Sequence, residues 1–160
     1  MTARPFLLDT SVLLHLIRGR ELGQYINVAF DLANVVHRPL VSIVTHGEVW
    51  VLADRNGWGE KKRDALTKML DSLVTVDLDD QAILDAYVNV SRACRTAKGG
   101  ARVLGNNDLR IAATTKAADA VLLTTDRDFL HLHPGHCFVH WIDPLTKPPE
   151  PQGGVQQTFE

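Results

Sequence analysis

At 160 residues, 45% of them hydrophobic, the chain is long enough for one domain with a substantial core and too short for two ordinary ones. A net charge of −2 neither announces nor excludes a nucleic-acid binder, because a basic patch can coexist with an acidic pocket. No apolar run approaches the ~20 residues needed to span a bilayer, so no membrane association is expected.

Residues 5–9 form a short apolar run ending in Asp9, and residues 12–17 continue as a helix until Gly19. From Glu21 onward, Leu22, Tyr25, Ile26, Ala29, Phe30 and Ala33 recur at spacings of three and four, which predicts a second helix ending before Pro39. Residues 40–44 predict a second strand. Thr45 is then the expected cap of a helix that carries Glu48 on its first turn and is broken at Asn56-Gly57. Leu66, Met69, Leu70 and Leu73 mark the buried face of a further helix, followed by a third strand over residues 74–78.

Asp79 or Asp80 caps the next helix, whose apolar face is Ile83, Tyr87, Val90 and Cys94. Residues 96–105, glycine-rich and poor in apolar side chains, lead as a loop into a helix beginning at about Asp108. Residues 121–125 are a fourth strand and residues 137–142 a candidate fifth. Strands alternating with helices predict one α/β domain over residues 1–147. Its centre is a mainly parallel sheet of four to five strands with helices on both faces. Residues 148–160, rich in Pro and Gly, read as a flexible tail. Cys94 and Cys137 are the two cysteines, and no leader-like segment opens the chain, so a reduced, cytoplasmic protein is expected.

Four acids, Asp9, Glu48, Asp108 and Asp126, fall where a strand ends or a helix begins. In an open parallel sheet these places converge on the carboxyl edge, where such sheets hold their ligands. Carboxylates crowded there repel one another unless a cation or shared protons offset the charge, and an all-oxygen set suits Mg²⁺, with Mn²⁺ able to replace it. Thr10, Ser11, Thr124 and Thr125 add hydroxyls able to orient a carboxylate. The chemistry suggested is metal-assisted attack of water on a phosphodiester. Asp9 or Asp108 alone would serve equally well as a helix cap, so the force of the observation lies in the set.

Arg92, Arg95, Lys98 and Arg102 lie in a stretch with no acid from 92 to 107 and lead directly to Asp108, which makes them candidates for gripping phosphates. Lys61-Lys62-Arg63 reads as a solvated helix face. His131, His133, His136 and His140 straddle a turn without zinc-site spacing and read as loop residues, as His46 reads as a partly exposed helix residue.

The segments Leu7-Leu8-Asp9-Thr10-Ser11, Ser42 through Glu48, Asn107-Asp108-Leu109-Arg110-Ile111-Ala112-Ala113-Thr114 and Leu122-Leu123-Thr124-Thr125-Asp126-Arg127-Asp128-Phe129 occur in an order that resembles the PIN-domain ribonucleases, specifically the VapC toxins of bacterial toxin–antitoxin pairs. The resemblance runs from about Leu7 to Trp141. It implies a Mg²⁺-dependent endoribonuclease with Asp9, Glu48, Asp108 and Asp126 as its acids. Asp9 and Asp108 would be the most direct metal ligands, while Glu48 or Asp126 positions the water or completes a second metal site. Asp128 would support the site or be a solvated acid. The resemblance also implies a cognate antitoxin protein and a homodimer. The stretch from Arg18 to Arg38 is longer than the family's minimal connection and alters only the rim.

Two other readings compete. A PIN domain used only for binding would be expected to have lost one of the acids, and all four are present. A phosphatase with Asp9 as covalent nucleophile would want a second acid two positions later, where Ser11 stands.

Overall fold

The computed structural model of the chain describes residues 3–149. Five short strands, β1 (Phe6–Leu8), β2 (Leu40–Ser42), β3 (Val74–Val76), β4 (Val121–Thr124) and β5 (Phe138–Trp141), form one sheet in the order β3-β2-β1-β4-β5, with every neighbouring pair parallel. Apolar runs such as Phe6-Leu7-Leu8 and Val121-Leu122-Leu123 suit this sheet, because parallel strands are covered on both faces.

Side chains alternate across a strand, and the core divides accordingly. Leu7, Leu122 and Val139 pack on one face with Val90 of α5 (Gln81–Arg95) and Ile111 and Ala112 of α6 (Asn106–Ala117). Leu8, Val41 and Leu123 pack on the other with α1 (Thr10–Arg18), α2 (Glu21–Ala29), α3 (Ile43–Arg55) and α4 (Glu60–Asp71), through Leu13, Ile26, Val49 and Leu66. Each fully buried Leu or Ile contributes roughly 1.5–3 kcal/mol. This is the α/β domain expected from the sequence, with its fifth strand present and parallel.

Local chemistry moves several boundaries. Strand β2 stops at Ser42 because the Ser42 hydroxyl accepts a hydrogen bond from Val44 N (3.2 Å) and caps α3. Thr45, the expected cap, is instead wholly buried, and Glu48 lies on the second turn. Helix α2 ends at Ala29, short of the expected span. Asp31 adopts φ +46° and accepts a 2.7 Å bond from the Asn34 amide, so Ala33 lies beyond the helix and is exposed. Asp80, not Asp79, caps α5 through Ala82 N. Residues 127–132, between β4 and β5, form a 3₁₀ helix that buries Phe129 and Leu132 completely. Residues 148 and 149 carry no regular structure, and the remainder of the expected tail lies outside the described residues. Among the described residues no helix is long and apolar enough to cross a membrane.

Helices α1 and α2 meet at Gly23, where an added Cβ would collide with the backbone carbonyl of His15. Gly47, within α3, has open space around it. Gly23→Ala is therefore expected to destabilise the fold by about 1–3 kcal/mol, whereas Gly47→Ala should stabilise it by roughly 0.5–1 kcal/mol. Denaturant unfolding of the two variants checks this, and equal midpoints would contradict the α1–α2 packing.

Candidate active site

Strand β1 sits between β2 and β4, so the chain winds outward in one direction from β1 and in the other from β4. The carboxyl ends of these two strands flank the switch point of the sheet, the place where such folds open a crevice. Asp9 follows β1 directly, and Asp126 stands two residues past β4. Asp108 enters from the first turn of α6 and Glu48 from the second turn of α3.

Asp9 is the most tightly held. It is 5% exposed, its Oδ1 accepts from Thr10 N (2.8 Å), and its Oδ2 accepts from Ser11 Oγ (2.8 Å) and Thr124 Oγ1 (2.7 Å). The same hydroxyls are anchored in turn. Thr124 Oγ1 accepts from Asp126 N (3.0 Å) and Ser11 Oγ from Thr125 N (3.2 Å), which fastens the turn after β4 to the carboxylate after β1. Thr10 Oγ1 donates to Glu48 Oε1 (2.8 Å) and lies 3.0 Å from the buried Thr45 hydroxyl. Asp126 Oδ1 accepts from Asp128 N (2.8 Å) and caps the 3₁₀ helix.

The charges of the set are mutually felt. Asp108 is pushed up to about 6, first by burial and then by the negative charges of Asp9, Asp126, Glu48 and Asp128. Burial also raises Asp9. Its hydrogen bonds from Thr124, Ser11 and Thr10 oppose that rise, and the charge of Glu48 adds to it. The structure thus brings all four predicted acids together, with Asp128 as a fifth neighbour.

A cation fits this donor set. The donor atoms available are carboxylate oxygens, partly withdrawn from water. Among the described residues no three His, Cys, Asp or Glu side chains converge into a ready-made cage. Carboxylate oxygens suit a hard ion such as Mg²⁺ or Mn²⁺ better than a zinc-type ion, which prefers His and Cys donors.

Of the predicted basic stretch, Arg102 lines a cleft of about 620 Å³ together with Arg127, Asp128 and His131. Arg92 and Arg95, at the end of α5, and Lys98 in the loop after it are exposed outside that cleft. A second cleft, about 730 Å³, runs on the other side past Thr10, Glu48, Asn107, Arg55 and Arg110. Arg55, Arg110 and Arg127 are additions that composition did not mark. Arg127 and Arg110 each lie within two residues of a site acid, and that adjacency was their only signal. The histidines are dispersed: His131 bridges Asp128 O (2.7 Å) and Cys94 Sγ (3.3 Å), His133 Nδ1 accepts from Val139 N, and His140 packs edge-on to Phe30.

Residues 6–133 match the family model described as the PIN domain. The chain belongs to the PIN-domain family. No curated protein matches it. Among solved structures, it is similar to the DNA-bound VapBC from Salmonella typhimurium, with a TM-score of 0.68 and 24% identity over 86% of this chain and 98% of that one. VapBC2 from Rickettsia felis, bound to a DNA fragment from its promoter, gives 0.67 and 21% over 84% and 96%. VapBC-1 from nontypeable Haemophilus influenzae gives 0.66 and 19% over 85% and 96%. At these identities the likeness is one of fold, and the PIN fold places the four acids on its carboxyl edge.

Asp108 supplies a stability test. Its carboxyl lies near 3.8 in the unfolded chain and about 6 in the folded one, so the folded state holds the proton more tightly and stability falls as pH rises through roughly 4 to 6. Half-exposure discounts the penalty to on the order of 1 kcal/mol above that window. Asp108→Asn, melted without divalent metal, should gain about 2–4 °C at pH 8 and almost nothing at pH 4. An equal gain at both pH values would contradict charge crowding as its cause.

Proposed function

We propose that this PIN domain is a divalent-metal-dependent endoribonuclease, the toxin of a toxin–antitoxin pair of the VapC type, acting in the cytoplasm. The observation that carries the nuclease reading is the gathering of Asp9, Glu48, Asp108 and Asp126 about the switch point of the sheet, where burial and the other carboxylates raise the pKa of Asp108. Such a concentration of like charge is costly unless a cation belongs there. Asp9 and Asp108 would hold the ion, Mg²⁺ or Mn²⁺. When bound, it supplies a Lewis acid that lowers the pKa of water and offsets charge growing on the phosphate. Glu48, oriented by the Thr10 hydroxyl, and Asp126, oriented by the Asp128 amide, position the water. A phosphatase with Asp9 as covalent nucleophile is disfavoured because Ser11, not a second acid, stands two positions later and donates to Asp9 Oδ2.

RNA binding falls to local cations, because the overall charge of −2 does not attract a polyanion. Arg102 meets the strand in the cleft beside Asp128, and Arg92, Arg95 and Lys98 extend the grip beyond it. The antitoxin reading is supported by the VapBC neighbours and by one described as a toxin–antitoxin complex from Klebsiella pneumoniae, with 24% identity and a TM-score of 0.60. A cleft of about 410 Å³ lined by Leu16, Leu32, Met69 and Leu73 would seat an apolar segment of such a partner. For a homodimer, exposed Ile43, Val51 and Leu84 border two clefts that share Leu78 and Arg110.

Purified protein should cleave RNA with Mg²⁺ or Mn²⁺ and lose that activity in excess EDTA. Asp9→Asn and Asp108→Asn should each lower the cleavage rate roughly a thousandfold, corresponding to the several kcal/mol that a bound cation contributes to the transition state. Cleavage undiminished by EDTA would overturn the proposal. Expression of the chain alone should arrest growth, and unaffected growth would count against the toxin reading specifically.

Arg95→Ala combined with Arg102→Ala should flatten the salt dependence of RNA affinity by about one unit of slope per lost contact, about two in all, while leaving the cleaved bond unchanged. Binding titrations over a range of salt concentrations check this. An unchanged slope would move the RNA path away from this stretch.

A further inference from the structure

Trp141 ends β5 opposite Thr124, the residue whose hydroxyl holds Asp9. Paired residues of parallel strands share a face, so the indole stands next to the acid cluster on the side covered by α5, α6 and the 3₁₀ helix. Its Nε1 donates to Thr125 O (3.0 Å), which fixes the ring against the turn leading to Asp126. The ring is half-buried, and the Arg127 guanidinium lies over it, 4.7 Å from its centroid. Arg127 is exposed and also lines the cleft shared with Arg102 and Asp128. Among the described residues no carboxylate forms an ion pair with it.

We propose that Trp141 and Arg127 form a nucleotide subsite on the β5 side of the acid cluster, in which a base stacks on the indole–guanidinium pair and the guanidinium meets the neighbouring phosphate. The inference rests on the nuclease reading and adds to it where the strand lies and which residues hold it. A flat aromatic surface beside a cation is how proteins hold single-stranded nucleic acid without reading its sequence, and both the indole and the guanidinium plane accept a stacked base. The about 620 Å³ cleft beyond Arg127 is large enough for a nucleotide.

The test uses full-length protein carrying Asp108→Asn, which removes a site acid without removing any hydrogen bond described above. Two fluorescently labelled probes of equal length are titrated: an oligouridylate and an abasic ribose-phosphate oligomer. Adding Trp141→Leu should weaken oligouridylate binding by about five- to a hundredfold and leave the abasic probe unchanged. Trp141→Phe, which keeps an aromatic face, should stay within about threefold. Arg127→Ala should weaken both probes and flatten the salt dependence by about one unit, since it removes a phosphate contact. Melting curves on each variant report whether Trp141→Leu perturbs the fold, in which case Trp141→Phe and Arg127→Ala decide. Equal effects of Trp141→Leu on the two probes, or none on either, with Arg127→Ala also silent, would overturn the subsite alone. Failure of the Asp108→Asn protein to bind either probe would overturn the nuclease reading along with it.

Discussion

Asp9 is a carboxylate placed almost out of water at the end of the central pair of strands, and the edge around it is organised to hold it there. Burial works against its charge. Three hydrogen bonds, from Thr10 N and the Ser11 and Thr124 hydroxyls, work in favour of it. Two of these donors are tied by their own oxygens to amides of the turn after β4, so the position of Asp126 depends on the group that orients Asp9. Asp9, Glu48 and Asp126 are therefore one mechanical unit, tied through Thr10, Ser11 and Thr124, and Asp108 is joined to them by charge. A reacting centre needs this, because positioning within a fraction of an ångström separates a productive site from a loose one.

Under the proposed function, the same unit would let a chain that is acidic overall suit a polyanion. Negative charge is gathered where a cation would offset it, and arginines stand to either side: Arg102 and Arg127 along one cleft, Arg55 and Arg110 along the other. Attraction decided within a Debye length, about 8 Å at physiological salt, is set by such neighbours and hardly at all by net charge. Asp128 sits at the seam, adding to the charge felt by Asp108 and facing the first cleft.

Much of this was legible in the residues. Buried parallel strands write themselves as unbroken apolar runs, as β1 (Phe6-Leu7-Leu8) and β4 (Val121-Leu122-Leu123) do at the centre of the sheet, whereas β2, β3 and β5 each include a polar residue, Ser42, Thr75 and His140. The four acids were legible because strand ends converge by topology, which alternating elements reveal. What was missed turned on short-range competition. Ser42 and Thr45 are equally good caps by type, and the choice of Ser42 follows from Thr45 being needed beneath Thr10. The 3₁₀ helix at residues 127–132 is too short to show a helical period, and its buried Phe129 and Leu132 look like loop residues until β5 is in place. The arginine stretch was read as one unit, yet only Arg102 reaches the cleft, because the turn through Gly99 and Gly100, both at positive φ, separates it from α5. Trp141 carried no signal by itself, since its meaning comes from pairing with Thr124 across the sheet.

The central claim is that the crowded carboxylates exist to hold a divalent cation. Isothermal titration of the protein with Mn²⁺, without RNA, addresses it directly. The account predicts saturable binding by the wild-type chain, and binding weakened by at least about tenfold when Asp9 or Asp108 is replaced by Asn, because each removes an ionised ligand. Absence of saturable binding, or equal affinity in the wild type and both variants, would contradict it.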